Sequence, residues 1–173
     1  MLPISEKTIR ASFVNASRKE TTDITLPAEF AELDWNRLDF LGWRDRRIAR
    51  RAYIVVPAFD ELGEPGGETG GELIGVMLQQ AKASPQKRAQ CSWCQDVTLP
   101  NDVVFFGARL AGPAGRNGDT AGTLVCADFE CSANVRKKPP VAYIGFDVEA
   151  ARAERMLGLR VRAAAFAATV AGA

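Results

Sequence analysis

The chain has 173 residues, 47% of them hydrophobic and 25% charged, which is the composition of an ordinary globular protein and excludes extensive disorder. Its 22 basic and 21 acidic side chains leave a net charge of +1, so the whole protein is not attracted electrostatically to nucleic acid or anionic lipid. Neither an apolar run of about 20 residues nor a secretory leader pattern is visible, and we expect a cytoplasmic protein without membrane contact. The length predicts a single domain, residues 1–173, and we expect it to be a monomer.

Histidine is absent from the sequence. Its absence removes the commonest general base near neutral pH, and with it any Ser-His-Asp or Cys-His catalytic site within the chain. Imidazole is also excluded as a zinc ligand. Any zinc site must therefore be built from thiolates, with or without carboxylates.

The chain begins with a predicted short amphipathic helix. Ser5 is a suitable cap, and Ile9, Phe13 and Ala16 recur on one helical face. Residues 21–27 then predict a turn followed by a brief extended piece.

A basic segment and a first hairpin follow. Residues 37–51 contain six Arg against two Asp, and the segment 44–51 is expected to touch ribosomal RNA or an acidic protein, or to pair with the acidic loop 60–72. Residues 52–57 are rich in β-branched side chains and end in proline, which predicts a strand. We expect it to pair antiparallel with residues 72–78 across that loop.

A second hairpin is predicted from residues 103–110 and 123–126, which flank a glycine-rich connector. Residues 141–146 add one more extended piece. Asp147 then caps a long C-terminal helix, whose apolar stripe favours packing on a sheet over a coiled coil because it spans only about two heptads. The stripe consists of Met156, Leu159, Ala163, Phe166 and Val170.

Four cysteines form two close pairs, Cys91 with Cys94 and Cys126 with Cys131. Each pair can place two sulfurs about 2.3 Å from one Zn²⁺, and folding the spacer into a hairpin brings the pairs together. The predicted hairpin, followed by a helix at residues 132–136, describes a treble clef covering residues 88–138. The fold class is thus α+β, with antiparallel hairpins, a four-cysteine treble-clef zinc finger and a long C-terminal helix.

The cysteine pattern is also compatible with three other kinds of site. Two disulfides would suit an oxidising compartment, a redox-active Cys-Ser-Trp-Cys pair would need a βαβ context, and four thiolates could hold an iron–sulfur cluster. One structural zinc ion accounts best for the spacing. Because four thiolates leave no open position for water, we expect a binding protein and not an enzyme.

Candidate contact residues surround the cysteines. Trp93 is either an exposed aromatic anchor or a side chain packed on the hairpin. Arg136, Lys137 and Lys138 follow the last cysteine, and with Lys82, Lys87 and Arg88 they would form a basic surface of six charges. Such a surface would allow a nucleic-acid-binding zinc protein, contacting RNA or DNA, as an alternative function.

The Cys-Ser-Trp-Cys knuckle, the hairpin ending in Cys-Ala-Asp-Phe-Glu-Cys, and the Tyr-Ile-Gly-Phe stretch before a final helix resemble the treble-clef domain of elongation-factor-G-binding proteins, which include fusidic acid resistance proteins. The resemblance runs from about residue 5 to 165. It implies one zinc ion on the four cysteines and binding to elongation factor G on the ribosome, with release of that factor when fusidic acid has locked it there. It also implies Trp93, Arg116, Arg136, Lys137, Lys138 and Tyr143 as partner-binding candidates. The N-terminal helical bundle of the family is not apparent, which weighs against drug resistance more than against binding.

Overall fold

The computed structural model describes residues 1–58, 72–83, 89–96, 102–141 and 143–172. In this part of the chain a five-stranded antiparallel sheet has the order β1-β2-β3-β4-β5, so the strands lie side by side as they follow one another in sequence. The strands are β1 (Leu41–Arg44), β2 (Arg51–Pro57), β3 (Leu73–Gln80), β4 (Val103–Arg109) and β5 (Thr120–Cys126). The α-helices are α1 (Glu6–Ser12), α2 (Arg18–Asp23), α3 (Gly112–Arg116), α4 (Cys131–Arg136) and α5 (Val148–Ala171).

Both predicted hairpins are present. β2 and β3 pair from Arg51 opposite Gln79 to Pro57 opposite Leu73, and β4 and β5 pair along their whole length. The two hairpins meet along a short seam, because β3 and β4 pair only at Gln79 opposite Gly107 and Gln80 opposite Phe106. The connector of the second hairpin contains α3. Nearly all of the predicted loop 60–72 lies outside the described residues.

Apolar side chains cover the two faces of the sheet unequally. On one face α5 and the cysteines pack against alternate residues of the strands, including Val104, Phe106 and Ala108 of β4. On the other face Ile9 and Phe13 pack on Leu41, Trp43, Tyr53 and Val55 of β1 and β2. Phe105 points to this second face and is 43% exposed. The second face is therefore covered better over β1 and β2 than over β4.

Local capping explains the helices. The Ser5 side chain accepts a hydrogen bond from Thr8 N at 3.1 Å, which confirms the predicted start of the first helix. The expected turn over residues 21–27 is wrong at its beginning, because α2 extends to Asp23. Ser17 and Glu20 form a reciprocal capping box there, with Ser17 N donating to the Glu20 carboxylate at 2.8 Å.

The C-terminal helix begins where the sequence predicts. Asp147 accepts hydrogen bonds from the amides of Glu149 and Ala150 at 3.0 and 2.9 Å, and the helix runs 24 residues before Gly172 ends it in a left-handed conformation. The predicted stripe packs on the sheet. The extended piece expected at 141–146 is wrong for its described residues, because Phe146 N donates to Tyr143 O at 3.2 Å and closes a turn.

Candidate metal centre

The first cysteine pair lies on a tight knuckle. The amides of Trp93 and Cys94 both donate to Cys91 Sγ at 3.4 Å, and Gln95 N donates to Cys91 O at 3.0 Å. Ser92 N donates to Leu124 O at 2.8 Å, which ties the knuckle to β5. These backbone contacts place Cys91 and Cys94 on one tight turn that is attached to β5.

The second pair is positioned by the end of a strand and the start of a helix. Cys126 is the last residue of β5 and Cys131 the first residue of α4, as the sequence predicts. The turn between them uses Phe129 with φ 60°, a left-handed conformation that is rare for a side chain of this size. Its ring stacks on Phe106 with the centroids 5.4 Å apart, so packing holds this turn in place.

All four sulfurs converge on one point. Their Sγ atoms lie within 4.8 Å of one another, with Cys91 and Cys131 3.6 Å apart and Cys94 and Cys126 3.7 Å apart. A tetrahedral zinc site with bonds of about 2.3 Å requires sulfurs roughly 3.8 Å apart, whereas a disulfide requires about 2.05 Å. The arrangement therefore fits a tetrathiolate metal site and not two disulfides.

The four thiols shift one another's pKa values in opposite directions. Hydrogen bonds from Cys126, Cys131 and Cys94 hold the pKa of Cys91 far below its ordinary value. Hydrogen bonds to Cys126, Cys91 and Cys94, followed by burial, raise the pKa of Cys131 well above its ordinary value. Four thiolates in so small and buried a volume repel one another, and a divalent ion offsets part of that repulsion. Zinc is the structural ion that such a donor set binds, and the four cysteines hold one.

Two side chains that the sequence analysis missed support the centre. Asn134 in α4 points Nδ2 at Cys126 Sγ and Cys94 Sγ, at 3.6 and 3.9 Å. Arg162 in α5 donates from Nε to Trp93 O at 2.7 Å, and burial lowers the pKa of its guanidinium while the charges of Cys91 and Cys94 act in the opposite direction. Asn134 lies three residues after Cys131, about one helical turn along. That spacing is the only feature of the sequence that indicates a position beside the cysteines.

A buried ion cluster attaches the N-terminal half of the chain to the metal centre. The Asp39 carboxylate is inaccessible to solvent and pairs with Arg136 of α4 and with Arg160 Nε of α5 at 2.9 Å. The backbone N–H of Asp39 donates to Ser132 Oγ at 3.0 Å. The helix that carries Cys131 is thereby fixed to the segment leading into β1.

The structure corrects two of the predicted contact residues. Trp93 is only 2% exposed, and its ring packs edge-on against Phe40 and beside Phe166, so it is not an exposed anchor. Arg136 faces inward because it neutralises Asp39, and its side chain is 16% exposed. Both residues therefore stabilise the fold.

The remaining candidates are exposed on the surface. Arg116, Lys137, Lys138 and Tyr143 are all exposed, Tyr143 to 65%. We call these four residues the contact set. Of the six predicted basic charges, Arg136 is paired with Asp39, and Lys82, Lys137 and Lys138 are exposed. Lys87 and Arg88 lie outside the described residues.

The outer side of β5 borders an open groove of about 450 Å³. Phe105 and Leu124 line it from the sheet, and Phe166 and Arg162 line it from α5. The hydroxyl groups of Ser92 and Thr123 add polar atoms.

No helix in the described residues is long and apolar enough to cross a bilayer.

The sheet, the knuckle and the ligand-bearing helix define a treble-clef zinc-finger protein with four cysteine ligands. The family model described as FBP C-terminal treble-clef zinc-finger matches residues 8–170, and the chain belongs to this family. Among solved structures, the chain is similar to the fusidic acid resistance protein FusC, with a TM-score of 0.47 and 18% identity. That match covers 78% of this chain and 52% of FusC, so the chain spans about half the length of that protein. No curated protein matched the sequence.

Proposed function

We propose that this protein is a zinc-stabilised binding module that binds elongation factor G, the ribosome, or both, in the cytoplasm. The observation that carries the proposal is the family match over residues 8–170, together with four cysteines that converge on one point. Release of the factor and tolerance of fusidic acid would be consequences of such binding.

Exposed side chains in the segment before α5 support a contact role. Tyr143 stacks edge-on with Phe146, with the ring centroids 5.4 Å apart, so the exposed ring is held in one place. Val141 and Ile144 beside it are 62% and 104% exposed. An aromatic group with exposed apolar neighbours is the composition of a binding hot spot.

We also propose that the protein is not an enzyme. With all four thiolates on the metal, no coordination position is left for water or substrate, and the thiolate charge makes the ion a weak Lewis acid. The zinc instead crosslinks the knuckle to β5 and α4. In small zinc peptides such a site contributes on the order of 10 kcal/mol of folding free energy.

Titration calorimetry with purified elongation factor G tests the proposal. Wild type is expected to bind, and Tyr143→Ala to bind at least about tenfold more weakly, since an exposed aromatic anchor is worth more than about 1.4 kcal/mol. Leu2→Ala is the matched control, because Leu2 is 69% exposed and its truncation removes a similar apolar side chain elsewhere. Cys126→Ser is expected to lose both zinc and binding. Absence of wild-type binding to the factor and to ribosomes would refute the proposal.

A further inference from the structure

The loop between β1 and β2, residues 45–50, exposes several arginines. Arg46, Arg47 and Arg50 are all exposed, and we call them the loop arginines. Ile48 between them is 38% exposed. None of them belongs to the metal centre or to the contact set.

Hydrogen bonds make this loop rigid. Asp45 Oδ1 accepts from the amides of Arg47 and Ile48 at 2.7 and 2.9 Å, and the Tyr53 hydroxyl donates to Oδ2. The loop closes through Asp45 N to Arg51 O at 2.9 Å and Arg51 N to Ile48 O at 3.1 Å. A loop that is already ordered loses less conformational entropy when a ligand binds, so binding costs less free energy.

One further contact fixes the most unusual residue of the loop. Arg50 has φ 65°, a conformation uncommon for a side-chain-bearing residue, and its carbonyl accepts from Gln80 N at 2.7 Å. The neighbouring strand β3 thus holds the Arg50 backbone in place.

The fold separates the loop arginines from the acidic side chains of their own segment. Asp39 and Asp45, the two carboxylates of residues 37–51, are both buried, and hydrogen bonds or ion pairs occupy them. Arg44 does not contribute to the exposed surface of this loop. Its guanidinium lies over the Phe106 ring at 5.7 Å and donates to Ala127 O at 3.0 Å. The loop arginines therefore have no exposed carboxylate within their own loop, all of whose residues the structure describes.

Two acidic residues lie on the neighbouring helix α2. Arg47 Nη2 donates to the backbone carbonyl of Asp23 at 2.6 Å, which brings the exposed Asp23 side chain near the loop. Glu20 is occupied by the Ser17 cap, and the hydrogen bond from the Ser17 amide is the largest cause of its lowered pKa, ahead of the charge of Arg51. Against three exposed guanidinium groups, these two carboxylates leave the surface positive.

We propose that the loop arginines bind the phosphate backbone of RNA. A guanidinium pairs with phosphate through two parallel hydrogen bonds and also stacks on bases, and all the cations of this loop are arginine. Within a loop of six residues, the three side chains reach neighbouring phosphates of one strand. The choice of RNA over an acidic protein rests on the ribosome-binding form of the proposed function.

Fluorescence anisotropy with a labelled 20-nucleotide single-stranded RNA tests this inference. Wild type is expected to bind at 50 mM KCl, with log affinity falling against log salt with a slope of about −2 for three phosphate contacts. Replacing the three loop arginines by Gln should weaken binding on the order of tenfold or more and remove most of that slope. Thermal unfolding of this variant should match wild type, because exposed sites rarely change stability by more than about 0.5 kcal/mol.

The charge-matched control replaces the three cations of the contact set by Gln. It should keep RNA binding and weaken binding to elongation factor G, whereas the loop variant should do the reverse, so either proposal can fail alone. Unchanged RNA binding by the loop variant would overturn the inference. A competition experiment could also overturn it. If a 20-residue polyglutamate peptide displaced the labelled RNA as effectively as unlabelled RNA does, the surface would suit an acidic protein equally well.

Discussion

Removal of the Asp39 carboxylate is the sharpest test of how this fold is held together. In Asp39→Ala, Arg136 loses its carboxylate partner, and its side chain is only 16% exposed. Arg160 loses this ion pair as well, but at 35% side-chain exposure water screens most of its charge. Leaving a buried charge unpaired costs about 3 to 5 kcal/mol, and we expect the lower end, about 3 kcal/mol, because neither arginine is fully buried.

The expected loss converts to a melting temperature. In a domain of 150–250 residues, 1 kcal/mol corresponds to roughly 2–4 °C, so Asp39→Ala should melt on the order of 6–12 °C below wild type. Arg136→Ala should cost less, because Arg160 still neutralises Asp39. Differential scanning calorimetry of the zinc-loaded protein measures both variants.

The control breaks an exposed ion pair of the same kind. Glu149 lies 3.0 Å from Arg152 with its side chain 75% exposed, and Glu149→Gln should cost at most about 1 kcal/mol. If Asp39→Ala melts within about 2 °C of this control, the carboxylate does not hold the segment before β1 to α4, and our account of the ion cluster is wrong. If Arg136→Ala costs more than Asp39→Ala, the assignment of Asp39 as the shared centre is wrong.

Two further predictions concern β1 and the loop that follows it. Gly42→Ala should destabilise by about 1–3 kcal/mol in urea unfolding, because a Cβ there would lie 2.6 Å from the Phe129 ring, whereas Gly107→Ala should be nearly neutral, with its nearest neighbour at 3.9 Å. Burial would raise the pKa of Asp45, but hydrogen bonds from the Tyr53 hydroxyl and two backbone amides outweigh it and lower that pKa. Asp45→Asn should therefore cost a constant amount from about pH 8 to 5, and the cost should shrink below about pH 4 as the native carboxylate protonates. A stability difference that grows on acidification would contradict this sign.

The parts of the fold that were predicted correctly carry local signals. The Ser5 and Asp147 caps, the β-branched run of β2 and the cysteine spacing each mark structure within a few residues of themselves. The capping box of α2 was also visible as Ser17 followed three residues later by Glu20, and the prediction of a turn overlooked it. Strand β1 has only four residues and lies within a basic segment, so no alternation was long enough to reveal it.

The burial of two candidate contact residues, Trp93, for which the sequence left a packed position open, and Arg136, has a different physical origin. Burial of Trp93 depends on Phe40 and Phe166, which come from distant parts of the chain. The inward position of Arg136 depends on Asp39, 97 residues earlier. A sequence shows which side chains carry charge or apolar surface, but the partner that buries them is chosen by the tertiary fold.

Because the pairing between β3 and β4 is short, much of the contact between the two hairpins runs through α5. Within the described strands only two residue pairs join the hairpins, while α5 contacts β2 and β3 on one side of the seam and β5 and α4 on the other. The helix therefore joins the two hairpins. Its apolar face must point toward β2 and β3 at one end and toward β5 and α4 at the other. A single residue inserted in α5 would rotate the side chains that follow it by about 100° around the helix axis. An insertion of about seven residues, close to two full turns, would be needed to return those side chains nearly to their original direction.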